Sequence, residues 1–189
     1  MVSFFKTKID KSIEKKFDKW YHIYDMIKNE KKYEKTIKII LIIIWMVIAF
    51  NFSNQGGTES SGTSSKVTKV VVNILTKDKE EPDKQIIEKT EKIVRKGAHY
   101  TIYTIGGFLI MSYTYSMEKT KKQKILYSLL FGIFYAVTDE IHQYFVPGRS
   151  ARVFDVGIDT LGVFTGILIY LGVISLMNKL FQKHIDSFN

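Results

Sequence analysis

Four long apolar runs constrain the fold of this chain more than any other feature. They occupy residues 36–52, 97–117, 125–146 and 156–177, and the second contains no Lys, Arg, Asp or Glu over its 21 residues. A helix needs about 20 residues, at about 1.5 Å each, to cross the hydrocarbon layer of a membrane. Three runs have that length, and the first is short enough to need its flanking Lys and amide residues at the interfaces. The alternative is a soluble bundle of buried helices, although such helices usually carry a polar stripe along their whole length.

We therefore predict an all-α membrane protein: a four-helix transmembrane bundle with an N-terminal amphipathic helix and a helical external loop. The predicted segments are a basic cytoplasmic segment at 1–35, a membrane domain at 36–177 and a cytoplasmic tail at 178–189. Within the membrane domain the predicted spans are about 37–52, 97–117, 125–146 and 156–177, with an external linker at 53–94. The chain has no Cys, which excludes a disulfide framework and a thiolate metal site.

The N-terminal segment has a helical pattern of its own. Its apolar residues recur at steps of three or four: Phe5, Ile9, Ile13, Phe17, Trp20, Tyr24 and Ile27. With Lys on the other faces, this pattern favours a helix lying on the inner leaflet. Packing against another protein is the alternative. Further along, Pro82 can begin a helix that continues into the second span.

The Lys distribution predicts the orientation. Residues 1–38 hold 11 Lys against six acids, the turn 118–124 holds four Lys against one Glu, and the tail after Met177 holds two Lys against one Asp. The segment 53–94 is balanced, with seven Lys and seven acids. Because short cytoplasmic segments are enriched in Lys and Arg, both termini are predicted to be cytoplasmic. The net charge of +9 is spread along membrane-flanking segments without a recognised binding motif, so we expect no nucleic-acid partner.

Polar residues are concentrated at the predicted external ends of the spans. They are Ser53, Gln55, Arg95, Lys96, His99, Asp139, Glu140, Gln143, Arg149, Asp155 and Asp159. Such groups are costly in lipid and usually face a protein interior, a cavity or lipid headgroups. We therefore expect one polar site near the outer face of the membrane.

The second and fourth spans carry polar and small residues at the same spacing. Steps of four, three and four connect Arg95, His99, Ile102 and Gly106, and likewise Asp155, Asp159, Gly162 and Gly166. Small residues allow helices to approach closely in lipid, so we expect these faces to pack together. That packing would bring Arg95 and His99 near Asp155 and Asp159. A set of ion pairs that only holds the helices together is the alternative.

In order along the chain, the motifs resemble those of the VanZ-like family of small bacterial membrane proteins over about residues 37–177. They are Ser53-x-Gln55, Arg95-Lys96-x-x-His99-x-x-x-Tyr103, Asp139-Glu140-x-x-Gln143-x-x-x-Pro147-Gly148-Arg149, and Asp155 with Asp159-Thr160-x-Gly162. The resemblance implies a multi-pass protein of the bacterial plasma membrane. It also implies a link to low-level resistance to teicoplanin, a lipid-tailed glycopeptide that acts on cell-wall precursors outside the membrane. No settled reaction comes with the family, and its relatives often have Asn at the position of Asp159.

Our first functional hypothesis is an outward-facing site that binds or processes an amphiphilic envelope compound. Arg95, Lys96 and Arg149 suit a phosphate or carboxylate headgroup, because Arg offers a bidentate fork and Lys a point charge. The apolar walls would hold an acyl or isoprenoid chain. The expected partners are the lipid bilayer and either a lipid-linked cell-wall precursor or a lipoglycopeptide.

Two other hypotheses stay open. In an intramembrane enzyme, His99 would act as general acid or base and Glu140 or Asp139 as base or orienting group, while Arg95 and Arg149 would stabilise developing charge. In a non-catalytic membrane component, the same residues would serve assembly with a partner. A metal bound by His99, Asp139, Glu140 or Asp155 is also open, since hard cations take oxygen ligands, although we assign no metal and no cofactor.

The topology can be tested by thiol labelling, because the chain has no Cys of its own. A membrane-impermeant thiol reagent should label Lys121→Cys only after the inner face has been made accessible. Ser64→Cys, in the predicted external linker, should be labelled from outside intact cells. Labelling of Lys121→Cys from outside alone would contradict the predicted orientation.

Overall fold

The computed structural model describes residues 30–54, 71, 84–147 and 152–186. Four long helices account for nearly all of them: α1 Glu30–Asn54, α2 Lys84–Tyr115, α3 Lys121–Tyr144 and α4 Val153–Asp186. No strand occurs within these ranges, so the predicted all-α class is confirmed. The predicted N-terminal amphipathic helix lies outside the described residues. So does the predicted external linker, except for Ser53, Asn54, Val71 and residues 84–94.

The chain divides into two units, Met1–Ile40 and Leu41–Asn189. The described part of the first unit is the beginning of α1, where Lys38 forms an ion pair with Glu34 one helical turn earlier. An exposed pair at this spacing stabilises a helix by about 0.3–0.5 kcal/mol. The contacts between the helices and the polar site lie in the second unit.

Three helices are long and apolar enough to cross a membrane: Glu30–Asn54, Lys121–Tyr144 and Val153–His184. Helix α2 is not among them, because its first half carries Lys, Glu and Arg and its second half includes several Tyr, Thr and Gly residues. On α3 and α4, large apolar side chains remain exposed, among them Leu126, Leu130, Phe134, Leu161 and Leu168. An exposed apolar surface of this extent suits lipid rather than water.

Local sequence signals explain where the helices begin and end. Helix α2 begins at Lys84, shortly after Pro82, and runs unbroken into the predicted second span. Helix α3 begins with a capping box, in which the Thr120 hydroxyl accepts from the Gln123 N–H and the Gln123 side chain accepts from the Thr120 N–H. The Lys124 ammonium donates to the Tyr115 carbonyl oxygen at 2.8 Å. This hydrogen bond gives one of the last carbonyl groups of α2 the donor that the helix itself cannot supply.

Glycines bring the backbones of α2 and α4 into direct contact. A Cβ atom at Gly166 would overlap the backbone of α2 at Thr104, and a Cβ atom at Gly162 would lie 2.6 Å from the Tyr100 carbonyl oxygen. The predicted role of the α4 glycines is therefore observed. The corresponding prediction for Gly106 is wrong. A Cβ atom at Gly106 would meet the Trp45 ring of α1, and Gly107, one residue further along α2, packs against α4 instead.

An aromatic cluster fixes α1 against α2 and α3. The Trp45 indole N–H donates to the Ile102 carbonyl oxygen at 2.9 Å, and the Tyr135 hydroxyl donates to the Met46 carbonyl oxygen at 2.6 Å. The Trp45 ring centroid lies 5.9 Å from that of Tyr103 and 5.0 Å from that of Tyr135. These contacts bury large aromatic area while pairing the polar atoms of the rings. They form a packed layer directly beneath the polar residues described next.

The glycine contact generates a stability prediction with a matched control. Gly166→Val should lower the melting temperature of the detergent-solubilised protein, because overpacking against the α2 backbone costs about 1–3 kcal/mol. Gly172→Val, on the same helix, is the control, since no atom of the described residues lies within 4 Å of a Cβ atom at that position. Equal melting temperatures for the two variants would contradict the proposed backbone contact.

Candidate functional site

The polar residues singled out from the sequence converge at one end of the helices. Ser53 lies in the last turn of α1, His99 midway along α2, Asp139 near the end of α3, and Asp159 in the second turn of α4. Helices α2 and α4 run parallel there, as shown by the contacts of Lys96 with Asp155 and of His99 with Asp159. The C-terminal ends of α1 and α3 therefore lie at the same level as the middle of α2 and the N-terminal end of α4. The site has two parts, a buried hydrogen-bond cluster and an adjoining pocket.

The buried cluster is centred on the Asp139 carboxylate. Its Oδ2 atom accepts hydrogen bonds from the Ser53 hydroxyl at 2.6 Å, the Tyr103 hydroxyl at 3.0 Å and the Gln143 amide at 3.3 Å. The Gln143 amide also donates to the Ser53 hydroxyl oxygen at 3.2 Å. Ser53, Tyr103 and Asp139 are each at most 3% exposed. Three helices are therefore joined through one carboxylate oxygen.

The other carboxylate oxygen of Asp139 lacks such hydrogen bonds. Oδ1 is buried and has no hydrogen-bond partner among the described residues. Leaving a buried acceptor unsatisfied costs about 1–3 kcal/mol, and more for a charged group. Native proteins keep few such atoms, and each one calls for a physical explanation.

The pocket opens beside this cluster. It is lined by Arg95, Lys96, His99, Glu140, Gln143, Asp155, Ile158 and Asp159. Its cavity volume is about 20 Å³, room for one water molecule or a small ion but not for a lipid headgroup. Any larger ligand would have to bind at the mouth.

The mouth of the pocket carries positive charge. The Lys96 ammonium lies 2.7 Å from Asp155 Oδ1, and both side chains are partly exposed. The same ammonium lies 4.7 Å from the centroid of the exposed Phe154 ring, a cation–π distance. Arg95 lies on the wall, half-buried, and no ion pair of Arg95 is found among the described residues. Arg95 and Lys96 therefore form a cationic rim at the mouth of the pocket, next to the exposed apolar side chain of Phe154.

The floor carries negative charge. His99 Nδ1 lies 3.8 Å from Asp159 Oδ1, and the Asp159 side chain is 2% exposed. Glu140 is buried as well and accepts a hydrogen bond from the Arg152 backbone N–H, which joins the end of α3 to the start of α4. One ring nitrogen of His99 and one carboxylate oxygen each of Asp139 and Asp159 lie within 4.8 Å of one another. These three residues are the donor set among the described residues that could hold a metal ion.

The structure places most of the sequence-predicted site residues together. Seven of them line the pocket: Arg95, Lys96, His99, Glu140, Gln143, Asp155 and Asp159. Ser53 and Asp139 lie in the buried cluster beside it. Gln55 and Arg149 lie outside the described residues, so their predicted roles stay predictions.

Two contributors were not assigned to the site from the sequence. The first is Tyr103, whose hydroxyl donates to Asp139. It lies one turn after His99 and two after Arg95, so its position on the same helix face was a usable signal. The second is Ile158, an apolar residue on the pocket wall that no sequence pattern distinguishes from its neighbours.

Comparison with protein families identifies the family of the chain. A sequence model of the VanZ/LLP1 family matches residues 38–177, which is most of the chain. No curated protein and no solved structure matches the sequence or the fold. The matched range includes all four helices in part or in whole, and every described residue of the site.

The buried cluster generates a prediction with a matched control. Ser53→Ala removes the shortest hydrogen bond to Asp139, and bonds to charged groups contribute about 1.5–3 kcal/mol. We expect a melting temperature several degrees lower than that of the unmodified protein. Ser112→Ala should change it little, because the one hydrogen bond that the Ser112 hydroxyl donates among the described residues goes to the Leu109 carbonyl oxygen in its own helix. Equal melting temperatures would show that the bond from Ser53 contributes little to stability.

Proposed function

The chain is a membrane protein of the VanZ/LLP1 family, and from this premise we propose that Arg95 and Lys96, at the mouth of its polar pocket, bind the headgroup of an anionic amphiphile of the bacterial envelope. In this proposal α2 is a fourth span, both termini are cytoplasmic, and the pocket faces the outer leaflet. The Lys-rich turn 118–124 supports this orientation, because it joins α2 to α3 at the end opposite the pocket.

The observation that carries the proposal is the cationic rim beside an apolar surface. Arg95 and Lys96 lie on the pocket wall, and Arg95 has no ion pair among the described residues. A guanidinium with its donors available can bind a phosphate or carboxylate in bidentate geometry. Val153 and Phe154 precede the pocket residue Asp155 and are 90% and 70% exposed. An acyl or isoprenoid chain can lie on this surface while the headgroup contacts the rim.

The chemistry selects a compound with one anionic headgroup and one long apolar chain. A lipid-linked cell-wall precursor and a lipoglycopeptide both have these parts. The resemblance to the teicoplanin-resistance type supports the second possibility, because a lipid-tailed glycopeptide reaches the outer leaflet from outside. We propose that retention of such a compound at the rim underlies any resistance that the protein confers.

One observation favours a second candidate function, acid–base catalysis on the bound amphiphile. The imidazole of His99 lies next to the Asp159 carboxylate, and the Glu140 side chain lies on the wall of the same pocket. An imidazole oriented by a carboxylate is a common arrangement for proton transfer. In this case Arg95 would stabilise negative charge on the reacting headgroup. Conversion of the lipid distinguishes this function from binding alone.

Binding can be tested with a defined probe. The protein in lipid nanodiscs should bind undecaprenyl phosphate saturably, and Arg95→Ala should weaken that binding about tenfold to hundredfold, since a charge-assisted hydrogen bond contributes about 1.5–3 kcal/mol. Lys89→Ala is the control, because Lys89 is an exposed cation on the same helix outside the pocket. Equal affinity of the Arg95 and Lys89 variants would overturn the proposed headgroup site.

The physiological role needs a test in cells. Expression in a teicoplanin-sensitive bacterium should raise the inhibitory concentration of teicoplanin, and Arg95→Ala, His99→Ala and Glu140→Gln should each abolish that effect at unchanged protein level. Loss of the folded, monodisperse protein in these variants would instead indicate that the polar residues hold the helices together. Chemical change of the probe lipid in nanodiscs, lost in His99→Ala, would favour the enzyme.

A further inference from the structure

Three side chains from three helices converge at the floor of the pocket in an arrangement that the headgroup proposal does not use. His99 comes from α2, Asp139 from α3 and Asp159 from α4, and one donor atom of each lies within 4.8 Å of the others. The His99 Nδ1 and Asp159 Oδ1 atoms are 3.8 Å apart. Two ligands of one ion with bonds of 2.0–2.2 Å are at most about 4.4 Å apart. Small side-chain adjustments therefore place all three donors around one cation.

The Asp139 carboxylate has the hydrogen-bond pattern of a metal ligand. Its Oδ2 atom accepts from Ser53, Tyr103 and Gln143, which fixes the orientation of the group. Its Oδ1 atom is buried without a partner among the described residues. Ligating carboxylates are typically held by hydrogen bonds of this kind, which leave one oxygen for the metal. A bound cation would give Asp139 Oδ1 a partner and remove the cost of a buried acceptor without a hydrogen bond.

The negative charge at the floor of the pocket also favours a bound cation. Asp139 and Asp159 are 3% and 2% exposed, and neither forms an ion pair with Lys or Arg among the described residues. Lys96, a cation on the pocket wall, forms an ion pair with Asp155 instead. Two buried carboxylates in one site repel each other unless a positive charge lies between them. A divalent cation supplies that charge, and the cavity volume of about 20 Å³ accommodates a single ion.

We propose that His99, Asp139 and Asp159 bind one divalent cation of the first transition series. An imidazole with two carboxylates favours Mn²⁺, Fe²⁺ or Zn²⁺ over Ca²⁺, which takes oxygen ligands almost exclusively. Glu140 and Asp155 lie on the wall of the same pocket and stay outside the three-residue donor set. This site does not depend on the amphiphile, so either proposal can fail without the other.

The test uses Mn²⁺ alone as the probe. Full-length protein in detergent, stripped with a chelator and dialysed, should bind one Mn²⁺ per chain, measured by the loss of the free-ion electron paramagnetic resonance signal. Asp139→Asn and Asp159→Asn should weaken binding at least 100-fold. Ser53→Ala should weaken it about tenfold to hundredfold, the effect expected of a residue that orients a ligand. Glu118→Gln and His184→Ala are controls that remove a carboxylate and an imidazole elsewhere.

A second measurement keeps the proposal decidable where a variant fails to fold. Pulsed electron paramagnetic resonance of the wild-type protein with bound Mn²⁺ should show coupling to an imidazole nitrogen, and His99→Gln should lose it. Absence of stoichiometric binding in the wild-type protein overturns the proposal, as does equal binding by the Asp139 and Glu118 variants. A bound ion without nitrogen coupling overturns the assignment of His99.

Discussion

The rest of the site depends on the burial of one carboxylate. Asp139 lies in an interior formed by apolar helices, where an ionised group is stable only with strong compensation. Ser53, Tyr103 and Gln143 supply part of that compensation, and two of them come from other helices. The position of α1 and α2 relative to α3 is therefore coupled to the state of this one group. Its second oxygen remains the least satisfied atom of the cluster.

Backbone contact between α2 and α4 turns that cluster into a pocket. Because Gly162 and Gly166 have no side chains, the two helices approach closely just beyond the polar residues. His99 and Asp159, one turn closer to the helix ends, are then brought within 3.8 Å of each other. Bulkier residues at the glycine positions would separate the helices and open the floor. Gly162 and Gly166 thus set the distance between His99 and Asp159, although neither glycine lines the pocket.

The arrangement of charge relates the two proposals. Cationic side chains occupy the exposed rim, where a headgroup can reach them, whereas carboxylates and one imidazole occupy the buried floor. An anion at the rim and a cation at the floor would each lower the electrostatic cost of the other, because opposite charges attract strongly where water is excluded.

The sequence alone was enough for the helical class and the family, because these follow from apolar runs and from motifs read in order. Of the four predicted spans, three lie in helices long and apolar enough to cross a membrane, α1, α3 and α4, whereas α2, which contains the predicted second span, is not among them. It also identified nearly every described residue of the site, since charged groups are rare in apolar spans and stand out. It did not distinguish the role of Asp139 from that of Glu140, which are adjacent in the chain. That distinction arises from helix rotation, which turns Asp139 towards Ser53 and Tyr103 and directs Glu140 to the backbone of Arg152.

Tertiary structure also decided which small residue faces which helix. Gly106 and Gly107 are equally small and adjacent, yet one faces Trp45 of α1 and the other α4. Successive helix positions point about 100° apart, so a choice between neighbours depends on where the partner helices lie. The sequence therefore determined the composition of the site and its level along the helices. Only the packing of the helices determined which hydrogen-bond donors contact Asp139 Oδ2 and which carboxylate oxygen has no donor among the described residues. The same packing determined which side chains form the rim of the pocket.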